Sequence, residues 1–205
     1  MLMSGGLETG LFNAIIALTE LKRRKRAGWV KRGVKNAESV ADHSWRSGLL
    51  GYMLAPKGYD KDKILKMGLI HDATEIFGED TTPVDGLTKE EKEKREREAV
   101  EKFFQLLPDS TQKEFRALWE EFEARKTKEA EFMKQVEILE MLFQAYEYET
   151  AKNFREDLTE WLEYERTNRK MIQHPVLKAY FEEIDKRWPK EAKKKFDLRK
   201  YKYYY

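Results

Sequence analysis

No stretch of this 205-residue chain alternates apolar and polar side chains with period two for long enough to make a convincing strand. The chain is therefore read as helices joined by breakers. Residues 9 to 25 carry Leu11, Ile15, Leu18 and Leu21 at helical spacing. The segment "AGWVKRGVKNAE", residues 27 to 38, reads as a loop. Ser39, with Asp42 three residues on, opens the next helix as an approximate capping box, and "PKGY" stops it after about Leu54. Asp60 caps a further helix that carries Ile64, Met67 and Leu69 toward His71. "GEDTTPVDGLTK" is loop, broken by Pro83 and two glycines. Four more helices are predicted, at about 89–107, 111–125, 127–151 and 175–187, with a weaker one near 155–166. The fold class is all-α, as one domain over residues 1–188 followed by a basic, Tyr-rich tail over 189–205.

Composition removes several functions. There is no cysteine, so disulfides and thiolate metal sites are excluded. Forty basic side chains nearly cancel 38 acidic ones, and a net charge of +2 suits neither a nucleic-acid coat nor a binder of acidic partners. The apolar run "LFNAIIAL" is too short to span a bilayer, and its basic cluster "KRRKR" follows it, the wrong order for a signal peptide. A cytoplasmic protein with no membrane partner is expected. The tail holds seven Lys/Arg against two acids and reads as a solvated end or one that packs its tyrosines on a neighbouring subunit. A basic, aromatic tail is also the composition that touches nucleic acid, but nucleic acid is not the expected partner.

The stretch "GLIHDATEIFGED" sets imidazole and carboxylate groups at the end of a helix whose pattern asks for core. The chain has three histidines. His174, in "IQHPVLKAY", reads as a surface or capping residue. His43 lies one turn into an apolar-faced helix in "ESVADHSWRSGLL", and His71 ends the run "ILKMGLI" with Asp72 directly after it. A carboxylate beside an imidazole is costly to bury without a positive partner, and a divalent cation supplies that charge.

A histidine on one helix, His-Asp on the next and an acid far downstream resemble the HD domain, a superfamily of helical, metal-dependent phosphohydrolases. Three blocks in order, "GWVKRGVKNAESVADHSWR", "LIHDATEIFGEDTTPV" and "EILEMLFQAYEYE", resemble the HD-domain 5′-deoxynucleotidases and their HDDC-type relatives. The similarity spans roughly residues 10 to 185 and stops at the tail. It implies an HD-domain helical bundle that releases phosphate from deoxynucleoside 5′-monophosphates, and usually a homodimer.

By the same resemblance, His43, His71 and Asp72 are metal ligands, with Glu137 at the position where the family has an aspartate. Glutamate is one methylene longer, so direct ligation, ligation through water and no ligation all stay open. Glu140 follows as an acid behind the ligands. Imidazole and carboxylate donors suit Mn²⁺, Co²⁺, Fe²⁺, Ni²⁺ or Zn²⁺ better than Mg²⁺. Glu75 matches the catalytic glutamate, and Asp80 an acid placed to protonate the leaving alkoxide or hold the sugar. Trp29 stands where the family packs a tryptophan against deoxyribose. Gly28 precedes it where some members have arginine, which leaves Arg32 or Lys35 to meet the phosphate. Trp45 reads as core. Two alternatives remain: an HD phosphohydrolase of nucleoside triphosphates or cyclic nucleotides, and a helical scaffold with a degraded site. No Walker A loop supports a triphosphate.

Overall fold

In a computed structural model that describes residues 9–77, 88–151 and 171–188, the chain is built around one long helix. The described helices are α1 (Thr9–Arg23), α2 (Ala27–Lys31), α3 (Val40–Leu54), α4 (Lys61–Ile70), α5 (Lys89–Phe104), α6 (Asp109–Ala124), α7 (Lys128–Ala151) and α8 (Pro175–Arg187). A 3-10 turn over Ala73–Ile76 follows α4. Among the described residues the only β feature is an isolated bridge between Lys25 and Ser39. The central helix is α7. Ala130, Phe132, Met133, Val136, Leu139, Leu142 and Ala145 are all buried, which places apolar side chains around most of its circumference. Such a helix is stable only when covered on all sides, and α3, α4, α6 and α8 all pack on it.

Two caps work as read. The Ser39 hydroxyl accepts from Asp42 N at 3.1 Å while the Asp42 carboxylate accepts from Ser39 N at 2.8 Å. Asp60 Oδ1 accepts from Lys63 N at 2.9 Å. These fix where α3 and α4 begin, and so the height of His43 and His71 along them. The two helices then cross at glycines. A Cβ on Gly68 would lie 2.4 Å from Gly48 Cα, so the backbones touch with no side chain between them.

The structure corrects four expectations. The 27–38 segment is not all loop, because α2 forms inside it. The backbone closes this segment where Arg26 N donates to Glu38 O and Val40 N to Arg24 O. On α1 the buried positions are Ala14 and Leu21, while Leu11, Ile15 and Leu18 are exposed. On α4, Leu69 is likewise exposed. Trp45 is not core but 61% exposed, because α3 turns the opposite stripe (Val40, Ser44, Ser47, Gly51) inward. The expected 155–166 helix, most of the 78–89 loop and the 189–205 tail lie outside the described residues.

Candidate metal centre

Where α4 ends, the backbone presents the His-Asp pair. His71 keeps helical backbone and donates its N–H to Met67 O at 2.9 Å, whereas Asp72 leaves the helix at φ −98°, ψ 6°. The 3-10 turn then sets Glu75 one step further round the same rim. His43 faces this pair from the first turn of α3, with its ring edge-on to that of His71 at a centroid distance of 5.4 Å.

Both imidazoles are anchored through Nδ1. His71 Nδ1 donates to Gly68 O at 2.8 Å, and His43 Nδ1 donates to Glu140 Oε2 on α7. Each Nε2 is then a bare lone pair. Both Nε2 atoms are buried and have no hydrogen-bond partner among the described residues. One oxygen of Asp72, Oδ2, lies 3.8 Å from His43 Nε2 and 3.4 Å from His71 Nε2. Glu137 completes the group: His43, His71 and Glu137 each place a ligand atom within 4.8 Å of the others.

Buried polar atoms without partners cost of order 1–3 kcal/mol each, and a cation held by the two converging imidazole lone pairs and the two carboxylates would remove that cost. The charges agree. Burial works against ionising Asp72, but His71, Arg26 and His43 outweigh it and hold the carboxyl down at about 2. Burial likewise opposes ionisation of Glu137, and Lys134 with His71 overcomes it, so its pKa is lowered. Burial drives His71 downward, toward the neutral form that ligation needs. For His43, burial and Arg26 push the same way, but the bond to Glu140 prevails and raises it. Two anions and two imidazoles suit a divalent ion of borderline character.

A second acidic cluster, Glu38, His43 and Glu140, lies on the other edge of the His43 ring. Its cation is already part of the chain. Arg46 Nε donates to Glu140 Oε1 at 2.6 Å, and its Nη2 stands 3.8 Å from Glu38 Oε2. Glu38 also accepts from Trp29 Nε1 at 2.9 Å. Trp29 is therefore not an open platform for a sugar: it is 3% exposed and edge-on to Tyr148.

Of the cations read from the sequence, Arg32 donates to Gly28 O at 3.1 Å and Lys35 is exposed. The guanidinium that reaches the ligands is Arg26, whose Nη1 lies 3.0 Å from Asp72 Oδ2 and 3.7 Å from Glu75 Oε1. Its signal in the sequence is the last residue of "KRRKR", three residues before Trp29. Asp80 lies outside the described residues.

Two outcomes follow from this geometry. Glu137→Gln keeps size and removes charge, so metal affinity measured by calorimetry should fall at least tenfold, about 1.4 kcal/mol. An unchanged affinity would leave Glu137 as no more than the partner of Lys134, 2.7 Å away. Glu38 should make stability depend on pH. Burial first, and the charge of Glu140 second, push its carboxyl up to about 7. A folded-state value above the unfolded one means its contribution is complete below the unfolded pKa, near ~4.3, and is lost as pH rises through about 7. Glu38→Gln should remove this loss, making the variant relatively more stable at pH 8 than at pH 5 by up to about 3 kcal/mol in urea unfolding. A difference from wild type that is flat in pH would show that Glu38 does not titrate there.

Comparison with known proteins shows the family. Residues 18–178 match the family model described as HD domain. The 5′-deoxynucleotidase HDDC2 of Mus musculus is 37% identical over 184 residues, covering 90% of this chain and 91% of that protein. A solved structure of a conserved hypothetical protein from Pyrococcus furiosus superposes with a TM-score of 0.70 at 30% identity, covering 85% of this chain and 99% of that one. Another, described as a predicted metal-dependent phosphohydrolase from Magnetospirillum magnetotacticum, gives 0.62 at 26%, covering 87% and 92%. Fold and site thus define an HD-domain phosphohydrolase with a candidate metal centre. The chain belongs to the HDDC2-type 5′-deoxynucleotidase family within the HD domain proteins. Among the described residues, no helix is long and apolar enough to cross a membrane.

Proposed function

We propose that this chain hydrolyses deoxynucleoside 5′-monophosphates to deoxynucleoside and phosphate, with one divalent metal held by His43, His71, Asp72 and Glu137. The observation that carries the reading is the pair of buried, partnerless Nε2 atoms converging beside Asp72. A divalent ion bound there supplies positive charge against the phosphoryl oxygens and acidifies water.

The chain's own groups supply the rest. Phosphoryl transfer demands positioning and charge neutralisation more than covalent chemistry. Arg26 carries a two-pronged donor at the rim of the ligand set, and a phosphate offers it the geometry that Asp72 and Glu75 offer now. Glu75, on the 3-10 turn beside that guanidinium, is placed to orient the attacking water and take its proton. Attack at phosphorus breaks the bond to the 5′ oxygen, and the leaving alkoxide takes up a proton, the role assigned to Asp80.

The test is phosphate release from deoxy- and ribonucleoside 5′-monophosphates at equal metal. The expected result is faster release from the deoxy series. Equal rates would overturn the substrate assignment and leave the phosphohydrolase assignment standing. Trp29→Phe is the variant to pair with this test, since it keeps the ring and removes the N–H bonded to Glu38. Trp29→Ala is expected to cost about 3–5 kcal/mol of stability for a buried tryptophan and would report on folding instead.

The reading includes a homodimer. Trp45, Leu49, Tyr52 and Met53 share one exposed stripe of α3, the kind of apolar surface that a soluble chain covers. Sedimentation of wild type and Trp45→Glu tests it: a dimer that becomes a monomer is the expected result, and a monomeric wild type overturns it.

A further inference from the structure

Behind the metal centre lies a buried polar chain that the proposed reaction does not use. Glu140 is fully buried, and its two oxygens divide the work: Oε2 accepts from His43 Nδ1, and Oε1 accepts from Arg46 Nε at 2.6 Å. Arg46 stands one turn after His43 on α3, so both project onto the same face of α7. On that face Arg46 Nη2 donates to Gln144 Oε1 at 2.5 Å, and Nη1 lies 3.5 Å from Glu147 Oε2. Its Nη2 also reaches Glu38, whose carboxylate accepts from Trp29 Nε1 and whose own backbone N–H donates to Tyr148 Oη at 2.7 Å. One guanidinium is thus held by four acceptors from two parts of the chain.

Resting on the metal-centre reading above, we infer that Arg46 is a positioning residue for His43: by holding Glu140 in place it orients the His43 ring and keeps the proton on Nδ1, so that Nε2 faces the metal as a lone pair. The physical reason is geometric. A carboxylate that bonds a ligand histidine fixes its tautomer and ring rotation and makes it a better donor. That carboxylate must itself be held. Glu140 sits on a long side chain with three torsions, and only the bond from Arg46 keeps Oε2 turned to the ring. Arginine is required for this, because a planar fork meets Glu140, Gln144 and Glu38 at once, whereas the ammonium of a lysine meets one direction at a time. The guanidinium also balances the charge of the buried acid cluster. Without it, Glu140 loses one of its two partners and Glu38 loses the guanidinium 3.8 Å away.

The experiment uses the full chain stripped of metal and titrated with Co²⁺, followed by calorimetry and by the visible spectrum of the bound ion. Arg46→Gln and Glu140→Gln should each weaken Co²⁺ binding 10- to 100-fold and alter the spectrum. The double variant should be no weaker than the worse single one, since both act through one ring. Arg46→Lys should recover part of the loss. Imidazole nitrogen NMR of the metal-free wild type, at alkaline pH where the ring is neutral, should find the His43 proton on Nδ1, a readout that needs no variant to fold. Arg46→Gln binding Co²⁺ as tightly as wild type with an unchanged spectrum would overturn the inference, as would a neutral His43 ring protonated on Nε2. Wild type that fails to bind Co²⁺ would overturn the metal centre itself, a distinct result.

Discussion

His71→Ala should abolish metal-dependent phosphate release, by about 10³-fold or more, and metal binding with it. His71 contributes one of the two converging Nε2 atoms, and no third histidine stands near, since the ring of His174 packs on Tyr59 and Phe132. A bound cation is worth several kcal/mol to the transition state, and about 1.4 kcal/mol corresponds to each tenfold in rate. The variant also removes a ring that packs on Phe122 at 5.3 Å, so a stability control is required. Metal supplies it. An ion that binds only the folded chain raises stability by about 2.7 kcal/mol at one hundred times its Kd. Wild type should show that rise in melting temperature on adding Mn²⁺, and His71→Ala should show none. A His71→Ala protein that melts cooperatively, gains stability from Mn²⁺ and hydrolyses substrate at the wild-type rate would remove His71 from the centre.

Gly68→Ala should lower stability through a clash with backbone. Its Cβ would lie 2.4 Å from Gly48 Cα and 2.7 Å from Gly48 N, so the clash is with backbone and no rotamer change relieves it. Helices α3 and α4 must move apart. Overpacking of this kind costs typically 1–3 kcal/mol and occasionally more, and about 3 kcal/mol is expected here. Gly51→Ala is the internal comparison, because its Cβ would meet the side-chain atoms Ile64 Cγ2 and Met133 Sδ, which can yield. Urea midpoints should therefore rank wild type above Gly51→Ala, and Gly51→Ala above Gly68→Ala. Separation of the helices also pulls His43 from His71, so Gly68→Ala should bind metal more weakly even where it remains folded. Wild-type values for both quantities would mean that the two helices do not cross at these glycines.

Much of this architecture was readable along the chain. The starts of α3 and α4 were legible because a cap is a contact between residues three apart, and Ser39, Asp42 and Asp60 carry it in their side chains. α8 over Pro175–Arg187 matches its expected range because proline at the first turn starts a helix without losing a needed donor. The family resemblance placed His43, His71, Asp72 and Glu75 on two blocks, and the structure sets them on one rim. Other features were out of reach. The exposed face of α1 and the exposed Trp45 follow from which helix packs where, and an apolar stripe looks the same whether it meets the core or a second molecule.

By itself, then, the sequence determined the helical content, the capped ends of α3 and α4, and the residue types held at the end of α4, since each depends on interactions within about one turn. Tertiary structure alone decided which nitrogen of each imidazole faces the ligand set. His43 Nδ1 is taken by a carboxylate 97 residues away, and Asp72 is met by a guanidinium 46 residues away. Those partners are brought together by the close crossing at Gly48 and Gly68 and by the all-round burial of α7, which are properties of packing that no local pattern encodes.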